Sequence, residues 1–435
     1  MDMFMIPVPM FNAKMEVAAY RFFTHRGNEF ALQVGAASGS AVLEPVLDLL
    51  GGDGLEAFVM DKAAFVPIGP VTLLSRLEDR LDENVRRRVV FLLGPDTPST
   101  LAHVESLERH VENGFRFGMA GIANPLDYRR LLQLCRYWLI DQTDDPSPWP
   151  RRMPPDIRHL ILTATNVTDH AMFAELVQDG MYSLFEGGFY RYPVTMGKNR
   201  VSPVKVNLIR MLNMVQDPDF DFRKLADIIQ RDTALSISLL KLVNSPYFKR
   251  TREIGSIGQA VALLGEIEIR KWASTAVSLI MGTDKPDEIT RLSLIRAKFA
   301  ENLAVSFGLA LYSQSLFLTG LFSVLDIVLE ATMREALEMV KVSGVIHQAL
   351  VEGTGMFAPV LEIVRRYEAA EWQELSRLLI LHDLSAASVA DAYIDAAAWY
   401  RDLIFEARQE AARLIAAQEQ EKLEKQEKHD KETAG

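Results

Sequence analysis

Cysteine is almost missing from this chain: Cys135 is the single one in 435 residues. One thiol excludes a disulfide within the chain and any zinc cluster built on cysteines. Histidine is sparse too. Eight are present, none in an HExxH arrangement, and no glycine-rich Walker loop accompanies them. Long apolar runs are also lacking. The best stretch, Leu316 to Leu329, is shorter than the roughly 18–20 residues that a membrane-spanning helix needs, and it carries Asp326. It reads as a buried core helix, and no membrane span is expected. The opening residues, Met1 to Pro7, have neither the basic nor the apolar region of a secretory leader. With the lone thiol, this points to the cytoplasm. Positive charge is in deficit. Lys and Arg number 47 against 58 Asp and Glu, a net charge of −11 at pH 7. Phosphate neutralisation needs a basic surface, so nucleic acid is not an expected partner.

What is present is an ordinary globular mixture, 49% apolar and 24% charged. At roughly 100–200 residues per domain, the length suggests two or three domains. In the first 200 residues short apolar runs alternate with helical stretches. Val89 to Leu93, stopped by Gly94-Pro95, reads as a buried strand; Phe115 to Met119 and Leu160 to Thr165 are others. Pro98 to Asn113 and Leu126 to Tyr137 carry helical spacing between them. That alternation argues for parallel β/α units. Five prolines between Gln142 and Pro155 mark an irregular surface loop.

Near Ser202 the strands stop. Helical spacing takes over in Asp221–Arg231, Thr233–Val243, Ile257–Leu264, Glu266–Ile280, Glu288–Phe307 and Leu316–Glu330. Ser256 is placed to cap the third of these and Gly265 to stop it. The change predicts domains at 1–200 and 201–400, joined near Gly197-Lys198-Asn199, each with its own core. Residues 401–435 alternate charge and read as a solvated helix or tail.

Three features invite chemistry and support little of it. The one His-Asp dipeptide, His382-Asp383, lacks the further His and Asp of a metal phosphohydrolase. Cys135 lies in the apolar run Leu131 to Cys135 and reads as an inert buried thiol. Arg86-Arg87-Arg88 and Arg151-Arg152 have the charge to contact phosphates, but a solvated face is the plainer reading.

Several segments, in order, resemble a known architecture. Asp232-Thr-Ala-Leu-Ser-Ile-Ser-Leu-Leu-Lys-Leu-Val-Asn-Ser-Pro246 and Ile254-Gly-Ser-Ile-Gly-Gln-Ala-Val-Ala-Leu-Leu-Gly265 resemble the HDOD core signature. Arg296 to Leu303 and Phe317 to Asp326 fit its later segments. The chain as a whole resembles bacterial two-domain signalling proteins with an EAL-type domain followed by an HDOD domain. The resemblance implies a multidomain α/β plus all-α fold, an EAL-type TIM-like β/α barrel and then an all-helical domain. HDOD domains are relatives of HD hydrolases without their metal ligands.

In the first half the resemblance is one of outline. EAL enzymes cleave cyclic di-GMP with divalent metals held by carboxylates at the C-terminal ends of barrel strands. The strand motif Y-E-L-L-x-R appears as Tyr20 to His25, so Arg21 takes the place of a metal-binding Glu. The two aspartates of A-L-D-D-F correspond to Ala120 and Gly121. The two glutamates of A-E-x-V-E-T correspond to Thr165 and Thr168. The F-Q-G-Y end appears as Phe185-Glu186-Gly187-Gly188, and Leu139 replaces the Lys of I-K-I-D, ahead of Asp141. The expectation is a degenerate barrel with no catalytic residues, no cofactor and no metal, in which no nearby carboxylate pair replaces those lost.

The resemblance then implies a non-enzymatic signalling protein that binds other signalling proteins, in motility, attachment or biofilm control. The alternatives are a sensor that binds cyclic di-GMP without cleaving it and a residual metal-dependent phosphohydrolase. Homodimerisation stays open. Asn244, Ser245, Pro246, Tyr247 and Phe248 end one helix and begin a loop, which makes them the candidate interaction surface, with packing on the helical core as the competing reading.

Overall fold

The computed structural model describes residues 3–26, 54–79, 81, 83–143, 148–192, 203–217 and 257–404. Its first half is a closed barrel of eight strands in chain order. They are β1 (Met3–Phe11), β2 (Val17–Arg26), β3 (Ala63–Ile68), β4 (Val89–Leu93), β5 (Arg116–Ala120), β6 (Tyr137–Asp141), β7 (Ile161–Val167) and β8 (Leu184–Gly187). From β2 to β8 neighbours are parallel, whereas β1 runs antiparallel to both β2 and β8. Every residue of β4 is buried, as expected of a parallel strand covered on both faces. Met10, Ala19, Phe65, Val90, Leu92, Ala120 and Leu139 fill the interior.

The three strands read from sequence are found as β4, β5 and β7. Helix α1 (Gly54–Val59) precedes β3, and α2 (Leu101–Glu112) ends at Asn113 with Gly114 at φ 85°. The helix expected over Leu126 to Tyr137 is shorter. A 3-10 turn at Pro125–Tyr128 leads into α3 (Arg129–Leu134), and Tyr137 already opens β6. Apolar helical spacing continues past the real end because the following residues are a buried strand, equally apolar. The next helix, α4 (His170–Asp179), is capped by Asp169, whose carboxylate accepts from the Ala171 and Met172 amides. The proline-rich loop includes a short helix at Trp149–Arg152.

The second half is helical: α5 (Pro203–Gln216), α6 (Ile257–Met281), α7 (Asp287–Leu303), α8 (Ser313–Phe322), α9 (Leu325–Leu329), α10 (Met333–Met339), α11 (Ala358–Glu368), α12 (Trp372–Leu381) and a last helix over 386–404. Gly265 interrupts α6 with φ 71° and ψ 175°, a region open in practice only to glycine. The single run of Leu316 to Glu330 is two helices, α8 and α9. The joint at Gly197-Lys198-Asn199, the helices Asp221–Arg231 and Thr233–Val243, the cap Ser256 and the charged segment from Ala407 lie outside the described residues. So do Asn244, Ser245, Pro246, Tyr247 and Phe248.

A barrel strand usually has its outer face covered by the helix that follows it. β1 and β2 are joined instead by a tight turn, where the Asn12 carboxamide accepts from the Lys14 and Glu16 amides. Their cover comes largely from the helical half. β8 pairs only with Met10 and Phe11, so the Met3 end of β1 has an open edge. Tyr367 of α11 closes it: its hydroxyl accepts from the Met5 amide at 3.3 Å and donates to the Met5 carbonyl at 3.1 Å. Trp372 stacks on both Phe4 and His25. One buried apolar cluster therefore runs from the barrel strands through α7, α11 and the last helix, rather than two cores meeting at a joint.

Candidate functional site

The C-terminal ends of the parallel strands are where a β/α barrel places its chemistry. Side chains alternate along a strand, and Ala19 faces the interior, so Arg21 faces it too. From there the Arg21 guanidinium reaches across β1 to β8 and forms an ion pair with Glu186, Nη1 to Oε2, at 2.8 Å. The Glu186 side chain is 4% exposed and that of Arg21 21%. The guanidinium also lies over the Phe23 ring, 4.6 Å from its centre.

Asp141 ends β6 beside this pair. Its carboxylate accepts from the Thr143 amide and hydroxyl and from the Asn166 carboxamide at 2.8 Å. Burial pushes this carboxyl up, but those hydrogen bonds and the Arg21 charge outweigh it and hold it below the usual range. Asn166 reaches Asp141 from the left-handed conformation at φ 60°. Thr165 is buried opposite Asp141 on β7. Two residues earlier on the same face of β7, the Thr163 hydroxyl is fully buried without a hydrogen-bond partner.

Of the positions read from sequence, Arg21, Ala120 and Thr165 come together at this end of the barrel. Ala120 is part of the interior cluster, and Gly121 follows it at φ 70°. Thr168 sits apart, exposed at the entrance to α4, where its hydroxyl donates to Asp169. Two carboxylates do lie near Arg21, Glu186 as its ion-pair partner and Asp141 held by Thr143 and Asn166. Each was visible as a charge at the end of an apolar strand, and opposite charges on interior strands are the signal that pairs them.

Four of the five clustered arginines are engaged in structure. Arg86 donates to the Leu81 and Glu78 carbonyls, Arg87 pairs with Glu83, Arg88 bonds the Met60 carbonyl and Arg151 pairs with Asp179. Cys135 is buried, and burial pushes its thiol far up. His382 ends α12 against the Phe307 ring, and among the described residues no three His, Cys, Asp or Glu side chains gather as a metal site.

Comparison with known proteins bears on the helical half first. Residues 202–344 match the model of the HDOD domain. The chain carries an HDOD domain. The order of a β/α barrel and then this domain is the one the resemblance implied. The chain is 27% identical to YuxH, an uncharacterised protein of Bacillus subtilis, over 414 residues, which are 93% of this chain and 99% of that one. It is 28% identical to the cyclic di-GMP phosphodiesterase CdgJ of Vibrio cholerae over 222 residues, 51% of each chain. Among solved structures it is similar to the Bacillus subtilis YkuI protein, which has an EAL domain, in complex with c-di-GMP and calcium. There the TM-score is 0.33 and the identity 14%, over 61% of this chain and 73% of that one. Among the described residues no helix is long and apolar enough to cross a membrane.

Proposed function

We propose that the protein works in cyclic di-GMP-related signalling of the EAL–HDOD kind, without catalysis, through contacts with other signalling proteins. The barrel serves as its scaffold. The observation that carries this reading is the Arg21–Glu186 ion pair inside the barrel. Cleavage of the EAL type needs divalent metal, and hard cations need several oxygen ligands in one place. The residues present do not fit that requirement. Glu186 is committed to a guanidinium, Asp141 to Thr143 and Asn166, and a metal ion placed between them would meet the positive charge of Arg21. Fold and site are separable, so a barrel without its ligands remains a sound scaffold.

The test is direct. The purified protein, with magnesium or manganese, should leave cyclic di-GMP intact. Turnover above a buffer control that EDTA abolishes would overturn the proposal. Binding of cyclic di-GMP without turnover, seen as a raised melting temperature, would favour the sensor reading instead.

A further inference from the structure

We propose that the cleft where the barrel meets α7 binds a small aromatic zwitterion, of the size and charge of an aromatic amino acid. The cleft has a volume of about 460 Å³, within the range of small-molecule sites. The turns that lead into β2 and β3 form one wall, and α7 with the last helix forms the other. It opens at the N-terminal ends of these strands, away from the C-terminal ends that hold Asp141 and Thr165. Met15, in the β1–β2 turn, and Met60, directly after α1, both take the left-handed conformation, at φ 61° and φ 52°. Among the described residues six other than glycine have a positive φ, and only these two carry a long apolar side chain. Glycine or asparagine would sit there at less cost, so each methionine is held against backbone strain. Both are partly buried, and both line this one cleft.

The chemistry of the cleft describes its occupant. The thioethers of Met15 and Met60, with Val17 and Val59, make a polarisable apolar wall that suits an aromatic ring. The floor is buried and already satisfied. Tyr20 and Arg291 both donate to Glu288, at 2.8 Å each, and the guanidinium lies over the Tyr20 and Tyr400 rings, 4.8 and 5.9 Å from their centres. That floor offers flat surface and asks no charge of a ligand. At the rim, Asp284 pairs with Lys205, Lys285 with Glu330, and Glu16 accepts from Asn12. Lys62 lies 3.7 Å from Asp61, beyond a hydrogen bond. Lys14 on the barrel side and Asp287 at the start of α7 add one charge of each sign. An aromatic body therefore meets the methionines, while a carboxylate and an ammonium group meet opposite sides of the rim.

The experiment uses the full chain, with thermal melting and calorimetry. L-tryptophan is the probe, L-leucine lacks its ring, tryptamine its carboxylate and indole-3-propionate its amine, all at equal ionic strength. Tryptophan at ten times its Kd should raise the melting temperature by about 1–2 °C, leucine should not, and each single-charge analogue should bind more weakly. Met15→Gly and Met60→Gly remove the wall and relieve the strain together. The free variants should melt within about 2 °C of the native chain, yet bind tryptophan at least about tenfold more weakly. No shift with tryptophan, an equal shift with leucine, or a shift that survives both variants overturns the proposal. So does a free variant that melts many degrees lower, which assigns its methionine to packing. Equal binding of tryptamine or indole-3-propionate overturns the assignment of a zwitterion.

Discussion

Inside the barrel a single pair decides what the interior holds. Arg21 and Glu186 sit on strands that are not neighbours, and each is the counter-charge that makes the other tolerable away from water. Glu186→Gln should therefore destabilise the protein by about 2–3 kcal/mol, below the range for fully buried pairs because Arg21 is partly exposed. Arg21→Met together with Glu186→Leu should cost less than the two single changes added together. Urea melts of the four proteins measure the coupling, and additive losses would show that the pair contributes nothing as a pair. A second pair makes a pH prediction. The bidentate bonds from Arg129, with one from Gln133, hold the partly exposed Asp156 carboxyl down at about 2. A carboxyl whose folded pKa is depressed contributes stability above its unfolded value, near 3.9, and loses it as the pH falls toward 2. The gap in urea midpoint between the native protein and Asp156→Asn should be fully open at about pH 6 and reduced to about a third at about pH 2.5.

Among the elements, those legible in the sequence are those whose local chemistry agrees with their surroundings. Val89 to Leu93 is apolar throughout and is buried throughout, and Asn113-Gly114 ends α2 where the chain must turn left-handed. Gly265 read as a stop and is a break in the middle of α6. Less legible was anything settled by a distant partner. Tyr137 read as the end of a helix because periodicity cannot separate a buried strand from a helix that runs into it. Leu316 to Glu330 read as one helix, yet Ser323 and Val324 divide it. The candidate site was half legible: the missing carboxylates stood in the motifs, whereas Arg21–Glu186 needs the closed barrel to exist. Two glycines separate backbone from packing effects. A Cβ at Gly265 meets nothing within 4 Å, so Gly265→Ala should cost about 1–3 kcal/mol through backbone strain alone. A Cβ at Gly320 would lie 2.4 Å from the Arg296 carbonyl, where α8 presses on α7. Gly320→Ala should cost at least as much through displacement of the two helices, and chemical denaturation of both variants checks the contrast.

For the whole molecule, the composition shift near residue 200 suggests two cores, but among the described residues one large buried apolar cluster spans both halves. Tyr20 on β2 donates to Glu288 on α7 at 2.8 Å, Glu288 accepts from Arg291 at 2.8 Å, and Arg291 returns to the Phe58 carbonyl of α1. All three side chains are nearly excluded from water, and Glu288 beside it helps push the Tyr20 hydroxyl well above its usual pKa, after burial itself. Tyr20 and Arg21 are adjacent on one strand and face opposite ways, one tied to the helical half and one to the barrel interior. Glu288→Gln leaves the buried Arg291 without its counter-charge and should destabilise by about 3–5 kcal/mol. Because the lost contact joins both halves, the loss should appear in both at once. Melting of the full chain, followed by far-ultraviolet circular dichroism and by tryptophan fluorescence, should give one coincident transition, shifted down as a unit in the variant. The same geometry bears on a fragment starting near Val201. It would expose the faces of Tyr367, Trp372 and Phe299 that now meet the barrel or its neighbours, and it should aggregate or lose helicity. A soluble, fully helical fragment, together with two separate transitions in the whole protein, would show that the halves fold independently and that the shared core contributes contact without cooperativity.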